Sequence, residues 1–206
     1  MTRRTALGLA TALLLLAACG GILPTPPPPP RLYRLTPLTG ASAAAPTIAA
    51  QLVIATPNAP SGLDTERIAL ARSPISIDFF AGAAWTDRVP LMLQTLIVES
   101  LENAGQIRVV ARQSPDLRAD AILSTDLHHF EAVYGGDGAP ETRIALDCRI
   151  IRAADRTVIA VKSFAGTARA AENEMPAIVA AFDDAFHAVM HEIALWTAAS
   201  LGSLGR

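Results

Sequence analysis

His187 and His191 stand four residues apart, with Asp183 four before the first and Glu192 beside the second. On a helix that spacing stacks the side chains on one face, close enough for two imidazoles to share a metal ion. The order is His-x-x-x-His-Glu, however, not His-Glu-x-x-His, so no glutamate lies between the ligands to serve as a general base. The same residues make an ordinary solvated helix face with Asp-to-His pairs at i,i+4. We read them that way and assign no metal site and no cofactor. His128-His129, adjacent in a strand-forming stretch, are expected to point to opposite faces and so cannot form a joint site by themselves. No serine or cysteine sits in a Gly-x-Ser-x-Gly elbow. There is no Gly-x-x-x-x-Gly-Lys-Ser/Thr phosphate loop, and Lys162 is the only lysine. These residues describe a protein that is not an enzyme, and any ATPase would be a separate chain.

Cys19 is the residue with a chemistry of its own. It ends the run Leu16-Ala17-Ala18-Cys19, which follows Arg3, Arg4 and a small-and-apolar stretch over residues 6–18. A charged n-region, a short apolar h-region and a small-residue cleavage site make a secretory signal. A spanning helix needs roughly 20 apolar residues, and this run stops short of that. The order Leu-Ala-Ala-Cys resembles the bacterial lipobox, in which the chain is cut between Ala18 and Cys19. The thiol then takes a diacylglycerol and the new amine is usually acylated too. Each buried methylene contributes about 0.8 kcal/mol, and two or more chains anchor stably where one does not. Residues 1–18 are therefore expected to be a lipoprotein signal, residues 19–30 a lipid anchor and tether, and residues 31–206 the folded domain.

Composition narrows the partners. Without Arg3 and Arg4 the formal charge moves from −2 to −4. That balance offers no basic footprint for nucleic acid and no polybasic patch for anionic lipid, so membrane attachment is left to the acyl chains. If Cys19 is acylated, Cys148 has no disulfide partner and is expected to be a buried thiol. The hydrophobic share of 51% leans on alanine and overstates the core.

The elements follow from periodicity. The prolines at 24 and 26–30 favour an extended polyproline spacer on the order of 20 Å long. Residues 31–35, 47–56, 67–72, 75–79, 107–111, a stretch within 121–133, 142–150 and 158–164 carry β-branched or alternating apolar patterns. The segment 40–46 between the first two holds small residues with little to pack. A first helix is expected from Thr86-Asp87, as hydroxyl cap and first-turn acid, with Pro90 in the opening turn and Gly105 at the end. Trp85 would staple its start to the sheet. A second helix over 174–199, roughly 40 Å long, carries an apolar stripe through Ile178, Phe182, Phe186, Val189, Ile193 and Trp196. In 142–150, Ile144, Leu146, Cys148 and Ile150 share one face while Arg143, Asp147 and Arg149 share the other. The order predicts an α+β two-layer fold: one mixed or antiparallel sheet packed by two main helices, the last one long and C-terminal.

Several stretches together resemble the ABC-type transport auxiliary lipoprotein family. They are the lipobox, the tyrosine strand Arg31-Leu32-Tyr33-Arg34-Leu35, and the element Gly62-Leu63-Asp64-Thr65-Glu66-Arg67-Ile68-Ala69. To these add Ala84-Trp85-Thr86-Asp87-Arg88-Val89-Pro90 and a long final helix. Gly62 stands where relatives often carry a tyrosine. The resemblance implies a periplasmic lipoprotein subunit of a lipid-trafficking system, partnered by an MCE-domain protein with an ABC permease and ATPase. A homo-oligomeric ring is one assembly it implies. Tyr33, Leu63, Asp64 and Trp85 are then the expected partner or packing anchors. Gly20 follows Cys19 in place of the aspartate that holds lipoproteins in the inner membrane, so the outer membrane is the expected home. The alternative is a structural or assembly lipoprotein of the envelope with no transport partner.

Overall fold

The computed structural model describes residues 28–40, 47–114, 117–136 and 138–203. The signal stretch, Ala18, Cys19 and most of the proline spacer lie outside the described residues.

Eight strands form one sheet: β1 (Arg31–Tyr33), β2 (Ile48–Ile54), β3 (Arg67–Ser73), β4 (Ser76–Trp85), β5 (Ile107–Arg112), β6 (Ala121–Val133), β7 (Glu141–Arg152) and β8 (Val158–Arg169). Two helices, α1 (Val89–Ala104) and α2 (Met175–Gly202), pack against it. The α+β architecture expected from the sequence is the one observed.

The thirteen-residue β6 is the spine. One edge pairs antiparallel with β7 along its whole length, from Ala121↔Arg152 to Val133↔Glu141. The other edge is shared by two strands laid end to end. Leu52–Ile54 of β2 run parallel beside Ala121–Leu123, and Ala69–Ala71 of β3 run parallel beside Glu131–Val133. The sheet thus forks at β6 into a β2–β5 arm and a β3–β4–β1 arm. Between the arms the ladder of β6 and β7 slips by one residue at His128. A bulge of this kind shifts the phase of the strand. Ala121, Leu123 and Leu127 face the core before it, Phe130 and Ala132 after it.

Both helices lie on one face. Ile178, Phe182, Phe186, Val189 and Ile193 of α2 are buried, as the 3.6-residue period requires. Phe182 packs against Phe130 and Trp85 with ring centroids 5.2 and 5.3 Å away. Trp196 stacks edge-on to Phe164 of β8 at 5.5 Å. At Gly166 the helix comes so near that a Cβ would lie 2.8 Å from the Ala185 carbonyl oxygen.

The start of α1 differs from expectation. The N-cap is Arg88, no side chain caps the helix, and helical geometry begins at Val89. Thr86 lies two residues before the N-cap, held against β1 by its N–H to the Tyr33 carbonyl, and the Asp87 carboxylate accepts the N–H of the next residue, Arg88, which lies outside the first helical turn. Pro90 occupies the first turn and Gly105 closes the helix at φ 64°, a left-handed conformation that suits glycine.

Candidate functional site

Tyr33, Leu63, Asp64 and Trp85 come from three separate stretches and converge on one corner of the domain. Tyr33 pairs with Trp85 in the parallel β1–β4 ladder. The Trp85 N–H donates to the Glu66 carbonyl at 2.7 Å, and the Val89 N–H donates to the Thr65 carbonyl at 3.1 Å. Leu63 is buried, and the N–H groups of Leu63 and Asp64 both donate to the Pro60 carbonyl. The Asp64 carboxylate pairs with the Arg88 guanidinium at the N-cap of α1. The segment before β3 therefore acts as a bracket. It holds the end of β4 with one backbone bond and the start of α1 with another.

Trp85 is wholly buried and belongs to the last residue of β4, not to a loop ahead of the helix. Its ring lies edge-on to Phe130 at 5.6 Å and to Phe182 at 5.3 Å, arrangements that stabilise beyond simple burial. Its indole N–H finds no acceptor among the described residues. The side chain is a core anchor joining β4, β6 and α2.

From this corner the chain continues as a strap across both helices. Leu35 is buried. Next to it, the Thr36 N–H and hydroxyl donate to the two carboxylate oxygens of Asp183 on α2, each at 2.7 Å. The His187 ring donates from Nε2 to the Thr36 carbonyl at 3.0 Å. Two residues on, the Leu38 N–H donates to Ser100 Oγ at 2.9 Å and its carbonyl accepts from Asn103 Nδ2 at 3.1 Å, both on α1. Asp183 and His187 are thus not a merely solvated pair, since their polar atoms satisfy the backbone of the strap. His191, by contrast, is exposed, and no cluster of three or more metal-ligating side chains occurs among the described residues. The strap was not legible from pattern because Thr36, Ser100, Asn103 and Asp183 are each unremarkable alone. A groove of about 500 Å³ lies alongside it, bordered by Arg34, Asp87 and Glu99.

The sheet face turned away from the helices carries a charged lattice. Arg149 pairs with Asp126, and His128 lies 2.9 Å from Asp147. Glu131 is buried, and its Oε1 accepts from Arg143 Nη2 at 2.7 Å and lies 2.8 Å from His129 Nδ1. Its Oε2 accepts the Phe130 N–H at 2.7 Å. A buried carboxylate needs such full pairing to be tolerated. His128 and His129 both reach carboxylates of this face, contrary to the expected opposition, because the bulge at His128 breaks the alternation. Hydrogen bonds from Ser163 and then His128 hold the Asp147 carboxyl below the usual carboxylate range. Serine, aspartate and histidine are joined here with the carboxylate in the middle. The Ser163 hydroxyl and the His128 imidazole thus each meet the carboxylate, and among the described residues no hydrogen bond joins the two to each other. Cys148 is fully buried against Thr125, and burial pushes its thiol up to about 12. Such a thiol is not a nucleophile at neutral pH.

An uncharacterized protein of Bradyrhizobium diazoefficiens is 32% identical over 155 residues, 75% of this chain. The chain spans about two fifths, 41%, of that relative's length. A crystal structure of a Xanthomonas campestris protein superposes with a TM-score of 0.79 at 28% identity, covering 85% of this chain and 98% of that one. A hypothetical protein of Chlamydia trachomatis shares the fold at a TM-score of 0.51 and 8% identity, over 74% of this chain and 98% of its own. Among the described residues no helix is long and apolar enough to cross a membrane. The family described as the ABC-type transport auxiliary lipoprotein component matches residues 33–194, and the chain belongs to that family.

Proposed function

We propose that this protein is an outer-membrane-anchored periplasmic subunit of an MCE/ABC-type lipid transport system. It acts by docking to a periplasm-spanning partner and so maintains the envelope. The observation that carries this reading is the family match over residues 33–194, because its members are auxiliary lipoproteins of ABC-type transport. The Leu16-Ala17-Ala18-Cys19 lipobox supports the anchor, with cleavage after Ala18 and acylation of Cys19. Gly20 supports the outer membrane. Tyr33, Leu63, Asp64 and Trp85 serve as packing anchors that hold the tether-proximal corner rigid, and a homo-oligomeric ring is the assembly in which the subunit would work. No step in this role calls for chemistry by the chain itself.

The test is affinity purification of the tagged, full-length lipoprotein from membranes, with mass spectrometry of the chains that accompany it. An MCE-domain protein with its permease and ATPase should co-purify from wild type and be lost in Cys19→Ala. Recovery of acylated protein at normal level, with no transporter chain attached, would overturn the transport reading in favour of a passive envelope lipoprotein.

A further inference from the structure

The turn between β3 and β4 exposes apolar side chains that the core does not use. Ile75 is 97% exposed and Ile77 48%. Residues 73–77 read Ser-Pro-Ile-Ser-Ile, with no charge, and the two serine hydroxyls close the turn at 2.8 Å. Exposed isoleucines gathered at an uncharged tip usually mark a contact surface.

The topology says which way this tip faces. β1 runs parallel to β4, with Arg31 beside Ala83 and Tyr33 beside Trp85. The chain entering β1 therefore arrives from the β4 N-terminal end, which is the tip of the hairpin. The ladder also places Arg67 beside Ala84, and β3 runs from Arg67 to Ser73. At ~3.3 Å per residue the tip projects about 20 Å beyond the start of β1. The eleven residues from Gly20 to Pro30 span at most about 34 Å as a polyproline helix. The tether is thus long enough to let the tip touch the surface that holds Cys19. It is too short to carry the domain far from it.

Behind the tip the composition changes to that of a lipid headgroup zone. The Arg72 guanidinium lies over the Tyr134 ring at 4.6 Å, and that of Arg67 over Phe79 at 3.8 Å. Arginines and aromatic rings with an apolar body and a polar end favour this boundary.

We propose that the β3–β4 hairpin tip, led by Ile75 and Ile77, rests in the interfacial layer of the bilayer that holds the lipid anchor. The partner is a lipid surface, met as a second contact that orients the domain. This assignment rests on the proposed acylation of Cys19. Apolar insertion adds to an acyl anchor in the way a second membrane signal does.

The experiment uses the full-length acylated chain in vesicles of phosphatidylethanolamine and phosphatidylglycerol. Ile75→Cys and, at the far end of the sheet, Ala154→Cys are each labelled with a polarity-sensitive fluorophore. Cys148 is buried and leaves the introduced thiol as the reactive one. Flotation with the vesicles reports the anchor, and quenching by headgroup-level nitroxide lipids reports the tip. The expected result is flotation of both variants, with a blue-shifted label at position 75 quenched several-fold more than that at 154. Ile75→Ser combined with Ile77→Ser should still float, while a label at Pro74→Cys, exposed at the tip itself, in that background loses most of its quenching. Equal, weak quenching at 75 and 154 in floating protein would overturn the proposal. So would photo-cross-linking from position 75 that captures a protein chain rather than lipid in the floating fraction, since that indicates a second copy or another protein as occupant. Failure to float would overturn the anchor itself, and the tip assignment with it.

Discussion

Asp183 takes both hydrogen bonds that Thr36 can donate, from its N–H and its hydroxyl, each at 2.7 Å and across 147 residues of chain. The final helix therefore holds the segment that follows β1. β1 is only three residues long, so the ladder by itself is a weak attachment for that segment. Bonds to a carboxylate contribute more than neutral ones. Asp183→Ala should cost about 2–3 kcal/mol and speed hydrogen exchange of the Thr36 and Leu38 amides before the rest of the domain. His187→Ala should act in the same place with smaller effect. Unchanged exchange in Asp183→Ala would show that the strap is held without this carboxylate.

Trp85 joins β4, β6 and α2 in one aromatic cluster. Trp85→Ala should destabilise the domain by about 3–5 kcal/mol, a large part of a typical total of 5–15 kcal/mol. Trp85→Phe should cost far less, because the indole N–H makes no bond among the described residues. Thermal melts of the two variants check the difference. A shift of under a couple of degrees for Trp85→Ala would reject the anchoring role.

At Gly166 α2 lies close against β8. An added methyl would meet the Ala185 carbonyl oxygen and Val189 Cγ2, both at 2.8 Å. Backbone cannot swing aside as a flexible side chain does, so Gly166→Ala should cost about 1–3 kcal/mol. Gly166→Val should cost more and disturb the Phe164–Trp196 contact. Tryptophan fluorescence together with a denaturant melt reads both. A neutral Gly166→Ala would mean that the helix can lift from the strand without loss.

Cys148 gives a pH signature. Burial lifts its thiol from 9.0 to about 12 in the folded chain. The native state then keeps its proton where the unfolded state has lost it, and stability falls as pH rises wherever the native state binds more protons. The contribution is intact below about 9 and drains away between 9 and 12. Cys148→Ala should remove this part of the alkaline decline while lowering stability at neutral pH. Maleimide should label the wild-type thiol slowly until denaturant is added. Rapid native labelling, or the same alkaline slope in Cys148→Ala, would contradict a buried thiol.

Much of the architecture was legible because periodicity is a local property. The alternation of Ile144, Leu146, Cys148 and Ile150 and the stripe from Ile178 to Ile193 each follow from their own spacing, and both are buried as expected. The tyrosine, leucine-aspartate and tryptophan stretches could be picked out one by one. Their meeting at one corner could not, because the bracket is made by backbone bonds, such as Trp85 N–H to Glu66, that any side chain would permit. The cap at Thr86-Asp87 was misread for a related reason. Its chemistry suited a helix start, but pairing with Tyr33 keeps Thr86 beside the sheet, and the helix begins only at Val89, with Arg88 at the cap position.

What the sequence by itself determined is what depends on neighbours along the chain: strands, helices and which face of each is apolar. Only the tertiary structure decided the forked edge of β6, where β2 and β3 lie end to end, and the bulge that turns His128 and His129 toward one face. It alone placed Thr36 under Asp183 and set the hairpin tip on the side from which the chain enters β1. Pairing between strands far apart in sequence has no local code. It is chosen by which arrangement buries the apolar faces together while leaving few backbone groups unpaired.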